Sequence, residues 1–563
     1  MESPPRHGRH GGGAFPAVRP IDIGEETYQH QPLDDEVQQI RLLRYLGDTF
    51  SPQGWPILSF AVETTSLLAE PVRPYYAISY AWGEPDQWAV IALDGIPVKV
   101  PRTADEALRG VLMGHHNAAC LKADYPFWID AICIQQHHLP EKAKQVAMMR
   151  YIYPLAEAVL VWLGADDGAT AAGFETATLL AKDYSECVKQ REASNNFSEY
   201  FDDCPPPEGA DWTAFDTLLR SRWFTRLWIL QEVVYAKSVK CFRGRHFLPW
   251  GVLSEAVGWA YRQSFHLYLR SFSTYTSDYG QIGLMFVDLL FDMSDRTLNH
   301  DTFDELLVLN FGFRTSNAFD RIYSLLGLRG YRLAADLHPE ERIVPDYEKS
   351  LADVYAQAMY LGIISSQSLR HLSFVPVRRS RASSWPSWVP QFNQLDLDDW
   401  SLLVAKRYTG TRYMACSDVP MTARRSADGK LLIVKGVRIG EIASVFCLSP
   451  IKDGMPYAED TIAALYRGLA KAWFLEPLTA EVRKQAKEEL ETLAAIIKGP
   501  RSWKMQMFEY ELVVRDFASF VFDVVAHCPE LSGSEEAKRL LADAGAHDGN
   551  SLHFVWWLES MIC

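Results

Sequence analysis

The chain has 563 residues, more than one hydrophobic core usually supports, so two or three domains are expected. Its composition of 48% hydrophobic and 23% charged residues is typical of globular proteins and excludes global disorder. Acidic side chains outnumber basic ones by 71 to 56, and the resulting net charge of -15 disfavours binding to nucleic acid or to anionic lipid surfaces.

Cysteines and apolar segments indicate the compartment. The nine cysteines include no CxxC pair, which predicts reduced thiols, and no His or Cys set has the spacing of a metal site. No apolar run reaches about 18 residues, and the N-terminus has no hydrophobic segment of the secretory type. We therefore expect a cytoplasmic protein without a membrane span, a metal or a bound cofactor.

Residues 1–36 combine Pro, Gly, His and Arg with few large aliphatic side chains, which predicts a disordered leader. Residues 37–250 then alternate strand-like and helix-like segments. The predicted strands are 75–80, 90–100, 127–134 and 158–163, and the predicted helices are 103–113 and one that begins at Pro140. Strands separated by helices at this spacing form βαβ units, so we expect an α/β fold with a mainly parallel sheet.

The remaining segments differ in pattern. Residues 165–215 are acidic and end in a proline run, and we interpret them as an insertion between sheet elements. From 251 to 365 the pattern is mostly helical. Residues 366–563 combine strand-like runs, such as 431–437, with terminal amphipathic helices, which predicts an α+β region.

Four sequence blocks in the first half stand in a characteristic order. They are Tyr-Ala-Ile-Ser-Tyr-Ala-Trp-Gly at 76–83, Trp-Ile-Asp-Ala-Ile-Cys-Ile-Gln-Gln at 128–136, Val-Trp-Leu-Gly at 161–164, and the segment 222–232. Together they resemble the fungal heterokaryon-incompatibility (HET) domain, which we expect to occupy residues 37–250. Segments 320–328, 345–347 and 386–390 resemble sequences that follow this domain in many family members.

The resemblance implies an effector of fungal nonself recognition and regulated cell death. The HET domain is similar to Toll/interleukin receptor (TIR) domains, which implies a sheet flanked by helices. It also implies a protein partner of nonself recognition and possible homo-oligomerisation. In TIR domains that cleave NAD, a glutamate lies on a helix with a Ser-x-Trp segment, which Ser221-Arg222-Trp223 and Glu232 resemble at a longer spacing. NAD is then a substrate and Glu232 the catalytic residue.

The residues of segment 222–236 predict a helix on their own pattern. Trp223, Leu227, Leu230 and Val234 fall on one stripe that faces the sheet, whereas Glu232 lies on the other side near Trp228. A carboxylate beside aromatic rings is suited to stabilise the oxocarbenium character that develops when the nicotinamide–ribose bond breaks. Alternatively, Glu232 is a surface or capping residue held by Arg226 or Lys237.

Ligand-binding candidates follow the predicted strands, because ligands of open α/β sheets bind beyond the carboxyl ends of the strands. Ser79, Tyr80, Trp82 and Gly83 follow the first strand. Trp82 either stacks on a base or, with Gly83, forms a packing anchor and a turn.

Three further side chains complete the set of candidates. Asp130 lies in the apolar strand predicted at 127–134 and either positions a ribose or fastens a loop. Arg226 pairs with Asp130 or with a ligand phosphate, and Trp228 lies near the ligand. Cys133 has the pattern of a core residue.

Three classes of function remain open from the sequence. The first is an NAD hydrolase, and the second is a noncatalytic signalling module that self-associates or recruits a partner. The third is a metabolic enzyme that acts on an unrelated small molecule, because many α/β folds host unrelated sites. The sequence has no P-loop, nucleophile elbow or HExxH motif, so it lacks the residues that define P-loop ATPases, serine hydrolases of that type and zinc proteases.

Overall fold

The computed structural model describes residues 28–262, with gaps at 52–53, 85, 119–120 and 195–206, and then 302–309, 313–369, 372, 375, 385–393, 422–426 and 428–435. The predicted leader up to residue 27 and the predicted terminal helices lie outside the described residues. Within the leader's expected range, the Gln31 carbonyl accepts a hydrogen bond of 2.7 Å from Arg41 Nη2.

The chain is divided into two compact units. The first comprises residues 1–366 and 371–392, and the second comprises 367–370 and 393–563. The described part of the second unit holds an antiparallel pair of strands, Ala423–Arg425 with Leu432–Val434. This pair includes part of the predicted strand-like run at 431–437.

A nine-stranded sheet is the centre of the described part of the first unit. Its strands are β1 (Gln39–Phe50), β2 (Pro56–Ser66), β3 (Tyr76–Tyr80), β4 (Trp88–Leu93), β5 (Ile96–Pro101), β6 (Phe127–Trp128), β7 (Ala158–Trp162), β8 (Val239–Arg243) and β9 (His246–Pro249). They lie side by side in the order β5-β4-β2-β1-β6-β3-β7-β8-β9.

The middle of the sheet is parallel. β3 pairs in parallel with β6 and β7, and β7 pairs in parallel with β8. All residues of β3 and β7 are buried, as the continuous apolar sequence of β7 predicts for a strand covered on both faces. The α/β class is therefore confirmed, whereas antiparallel pairs such as β1-β2 and β8-β9 make the complete sheet mixed.

Helices cover the sheet and continue beyond it. They are α1 (Arg102–Ala118), α2 (Asp130–Cys133), α3 (Leu139–Leu155), α4 (Thr170–Ser194), α5 (Trp212–Leu219), α6 (Ile229–Val233), α7 (Trp250–Arg262), α8 (Phe303–Leu309), α9 (Asp320–Tyr323), α10 (Arg329–Leu337) and α11 (Leu351–Ser366). Pro140 stands in the first turn of α3, where its missing N–H costs nothing, and His138 caps that helix. None of the described helices has the length and apolar character needed to span a membrane.

Three sequence predictions of local structure were wrong. The strand expected at 90–100 is the hairpin of β4 and β5, because Asp94 and Gly95 take positive φ angles of 48° and 83° and turn the chain. The strand expected at 127–134 ends after β6, and Asp130 begins α2.

The helix expected at 222–236 is interrupted, which is the third difference. A 3-10 turn covers Arg222–Thr225, Arg226 is extended, and α6 follows. The interruption has a tertiary cause, because Arg226 forms a parallel bridge with Arg314, far along the chain.

The contact between α1 and β7 yields a prediction for stability. A Cβ atom added to Gly110 on α1 would lie 2.1 Å from the ring of Trp162 on β7. We expect Gly110→Ala to lower the free energy of unfolding by about 1–3 kcal/mol, because the packed core has no room for the methyl group. Chemical denaturation measures this change.

Gly251 on α7 supplies the matched control, because a Cβ atom there has no neighbour within 4 Å. Gly251→Ala should leave stability unchanged or raise it slightly, since alanine favours a helix. Equal losses in the two variants would contradict the close α1-β7 packing.

Candidate functional site

Glu232 is buried, with a relative exposure of 1%, and its side chain reaches strand β3. The sequence prediction that it faces away from the sheet was therefore wrong. The cause is the interruption at Arg226, since the short helix α6 has an orientation that one continuous helix would not give it. The residues of the expected apolar stripe, such as Trp223 and Leu230, are buried as well.

Ser79 connects the sheet to Glu232. Its hydroxyl donates a hydrogen bond to Glu232 Oε2 and accepts one of 2.6 Å from Trp223 Nε1. Ser79 lies near the carboxyl end of β3, a central parallel strand, which is where α/β sheets bind ligands. The carboxylate is thus fixed to the rigid centre of the fold.

Arg226 holds the other side of the carboxylate. Its Nη1 and Nη2 atoms lie 3.2 Å from Glu232 Oε2 and Oε1, respectively, in a bidentate ion pair. Arg226 pairs with Glu232, as one of the sequence alternatives expected. The pair does not lie at the surface, because the Arg226 side chain is only 15% exposed and that of Glu232 1%. Lys237, the other cation considered, donates to the Leu155 carbonyl instead.

Asp130 places a second acid beside this pair. Burial raises the pKa of Asp130 to about 6; the positive charge of Arg226 opposes this rise and the negative charge of Glu232 adds to it. Burial lowers the pKa of Arg226. The negative charges of Glu232 and Asp130 outweigh this effect, so the pKa of Arg226 is raised above its usual value. The guanidinium is therefore ion-paired with Glu232, and the charge of Asp130 acts on it without a second ion pair.

Tyr80 and Trp82 lie next to Asp130. The Tyr80 hydroxyl is buried and lies close to the Asp130 carboxylate; burial and the nearby charge of Asp130 raise the pKa of Tyr80 well above its usual value. Trp82 donates from Nε1 to Asp130 Oδ2 at 3.1 Å and is 42% exposed. Exposure falls from Trp82 to Arg226 and then to Glu232, so the indole lies at the outer end of the site.

Gly83 has a packing role. A Cβ atom at this position would lie 2.6 Å from the Thr103 side chain, and the Gly83 N–H donates to Thr103 Oγ1 at 3.1 Å. Of the two interpretations of the Trp-Gly pair, the packing anchor applies to Gly83, whereas Trp82 projects toward solvent.

The structure thus brings together four of the predicted side chains, Ser79, Asp130, Arg226 and Glu232, which we call the site cluster. Trp228 points elsewhere and donates from Nε1 to Asp320 Oδ2 at 2.9 Å. The described residues contain no group of three or more His, Cys, Asp or Glu side chains placed to hold a metal ion.

The pKa of Asp130 yields a prediction for the dependence of stability on pH. Because the pKa of Asp130 is raised to about 6 from 3.8, the folded protein binds its proton more tightly than the unfolded chain does. The folded protein is therefore stabilised at low pH, where Asp130 keeps its proton, and this stabilisation is lost as the pH rises to about 6. We expect the stability of the wild type, relative to Asp130→Asn, to fall between pH 4 and pH 7.

Chemical denaturation of both proteins across this pH range measures the difference. If the stability of the wild type relative to Asp130→Asn stays constant or rises between pH 4 and pH 7, Asp130 does not lie in a desolvated site beside Glu232.

Comparisons with known proteins match part of the chain to one family. Residues 75–232 match the family model described as Heterokaryon incompatibility protein (HET). Over 407 residues the chain is 24% identical to Heterokaryon incompatibility protein 6, OR allele, of Neurospora crassa, and this match covers 62% of the chain and 57% of the relative. The chain thus spans little more than half the length of that relative. No solved structure matches the chain.

The matched segment and the site cluster coincide. The segment begins at Tyr75, next to the start of β3, and ends at Glu232 in α6. It therefore contains every member of the site cluster.

Proposed function

We propose that this HET-domain protein acts in fungal heterokaryon incompatibility, and that its HET domain carries the effector activity. The family match over residues 75–232 and the name of the Neurospora crassa relative support this role. In this proposal, the incompatibility response involves a protein partner of nonself recognition and takes place in the cytoplasm.

The activity that we propose for the site cluster is hydrolysis of the nicotinamide–ribose bond of NAD. The single observation that carries this proposal is the buried ion pair of Glu232 with Arg226, with a second carboxylate, Asp130, near enough for its charge to act on both. A pair of acids with different environments is suited to glycosidic bond cleavage, because one remains charged while the other exchanges a proton.

The chemistry assigns a role to each group. The bond between nicotinamide and ribose breaks with its electron pair leaving on nicotinamide, and Glu232 stabilises the positive charge that develops on the ribose. Water then attacks the sugar carbon and gives its proton to Asp130, so the products are nicotinamide, ADP-ribose and one proton. Trp82, at the outer end of the site, offers a flat surface on which an aromatic ring of the substrate can stack.

A noncatalytic signalling function is the second candidate, and two observations favour it. Both oxygens of Glu232 already have partners in Arg226 and Ser79, as in a purely structural ion pair. In addition, β1, β2 and their connection expose apolar side chains, with Phe50 73% and Trp55 56% exposed. Such a surface is suited to contact a second copy of the chain or a partner.

Nicotinamide release separates the two candidates. The full-length protein is incubated with NAD over a range of protein concentrations, and nicotinamide is quantified by chromatography. The hydrolase proposal requires turnover that continues beyond one nicotinamide per protein. A protein that triggers the incompatibility reaction in a fungal host but releases no nicotinamide at any concentration would favour the signalling function.

A further inference from the structure

The chain segment that carries Arg226 and Glu232 is fastened by residues that lie well beyond the family match. The Leu227 N–H donates to the Arg314 carbonyl at 3.0 Å, and the Arg314 N–H donates to the Thr225 carbonyl at 2.6 Å. Gln231 Nε2 also donates to the Tyr323 carbonyl at 3.0 Å. Residues of the following helical region therefore contribute to the geometry of the site.

Asp320 stands out among these residues because it is a half-buried acid that forms no ion pair with any described residue. Its Oδ2 accepts a hydrogen bond of 2.9 Å from Trp228 Nε1, and its Oδ1 accepts one of 3.0 Å from the Tyr347 hydroxyl. Burial raises the pKa of Asp320, while these two donors and the more distant charges of Lys142 and Arg226 oppose the rise. Withdrawing a carboxyl group from water is costly, and the hydrogen bonds from Trp228 and Tyr347 offset that cost.

Trp228 links Asp320 to the site. Its backbone carbonyl accepts the N–H of Glu232 at 3.2 Å and that of Gln231 at 3.0 Å, so Trp228 forms the start of α6. It also follows Arg226 by two residues. A tether on the Trp228 side chain consequently fixes the backbone on both sides of the Arg226–Glu232 ion pair.

We propose that Asp320 is a positioning residue for the site: by holding the Trp228 indole, it keeps Arg226 and Glu232 aligned with each other and with Asp130. The HET domain is then functionally complete only together with the segment that contains Asp320 and Tyr347. The consequence for turnover rests on the proposed NAD hydrolysis, whereas the alignment itself does not.

Asp320→Asn tests the proposal, because asparagine has one accepting oxygen and meets the second donor with an NH₂ group. The first measurement is the NMR signal of the Trp228 indole N–H in the full-length protein, assigned with Trp228→Phe. We expect the signal to lose its protection from hydrogen exchange. Asp336→Asn is the matched control, since Asp336 is 70% exposed and pairs with Arg342 at the surface.

The second measurement is the pKa of Asp130, followed by NMR of labelled aspartate and assigned with Asp130→Asn. The groups that face Asp130 are Arg226, Glu232, Tyr80, Tyr153 and Cys133. If Arg226 loses its alignment, it lowers the pKa of Asp130 less. We expect an upward shift of about one pH unit, which is a tenfold change in the protonation equilibrium.

Turnover provides a third measurement. Nicotinamide release by Asp320→Asn should fall about 100-fold in kcat, with a smaller change in KM, as expected when alignment rather than binding is lost. A purely structural role for Asp320 would lower stability but leave kcat, KM and the pKa of Asp130 unchanged in the folded fraction.

The NMR measurements test the role of Asp320 separately from the proposed NAD hydrolysis. If the wild type releases no nicotinamide, NAD hydrolysis is wrong, and the two NMR measurements still decide the role of Asp320. If Asp320→Asn does not fold, Trp228→Phe removes the same hydrogen bond from the other side and should shift the pKa of Asp130 in the same direction. A folded variant with an unchanged Asp130 pKa would overturn the proposal.

Discussion

Glu232→Gln is expected to lower nicotinamide release by at least about 100-fold while the protein remains folded. Glutamine has the shape of glutamate and can still accept a hydrogen bond from Ser79, but it lacks the charge that stabilises the ribose in the transition state. Asp130 remains next to Arg226 and limits the cost of leaving that guanidinium without Glu232. The measurement is kcat/KM for NAD, with circular dichroism to monitor folding.

Glu157→Gln is the matched control for this substitution. Glu157 precedes β7, at the opposite end of that strand from the site, and is 47% exposed beside Lys122. Its removal should leave turnover unchanged. If the two variants have the same activity, Glu232 is not the catalytic carboxylate.

Arg226→Met is expected to cause the largest loss of stability, about 3–5 kcal/mol in the free energy of unfolding at pH 7. Methionine retains much of the length of the side chain but leaves Glu232, which is 1% exposed, and Asp130 without their cation. Two uncompensated carboxylates in a desolvated site disfavour folding. Urea denaturation at pH 7 measures the loss.

The same variant should recover part of this stability in acid, because protonation of Asp130, whose pKa is raised to about 6 even beside Arg226, removes one of the two negative charges. The difference from the wild type should therefore narrow between pH 7 and pH 5. Arg222→Met serves as the control, since Arg222 is 69% exposed in its pair with Glu84 and should contribute little. A loss at Arg226 that does not depend on pH would show that packing, rather than charge, dominates there.

The central strands could be predicted because their sequences contain the cause of their structure. The apolar run of β7 is too hydrophobic for an exposed edge, and β7 lies in the middle of the sheet next to β3. The interruption at Arg226 could not be predicted, since it depends on the bridge to Arg314. No local pattern identifies a partner that is so distant in sequence.

The site was predictable to a similar extent. Ser79 could be selected because it lies near the end of a buried strand, and Asp130 because an acid within an apolar segment needs a partner. The direction of Trp228 and the role of Asp320 could not be predicted, because each depends on the other's position. An aspartate at the start of the mainly apolar segment 320–328, which also contains Arg321 and Ser324, was the signal that the sequence offered.

The crystal structure of Glu232→Gln with NAD bound tests the central claim most directly, because this variant should retain the substrate. We predict that the nicotinamide ribose lies within hydrogen-bonding distance of Asp130 and beside residue 232, with an aromatic ring of NAD against Trp82. NAD bound elsewhere on the protein, or an empty site at saturating NAD while the wild type turns NAD over, would contradict the assignment of the site cluster as the reaction centre.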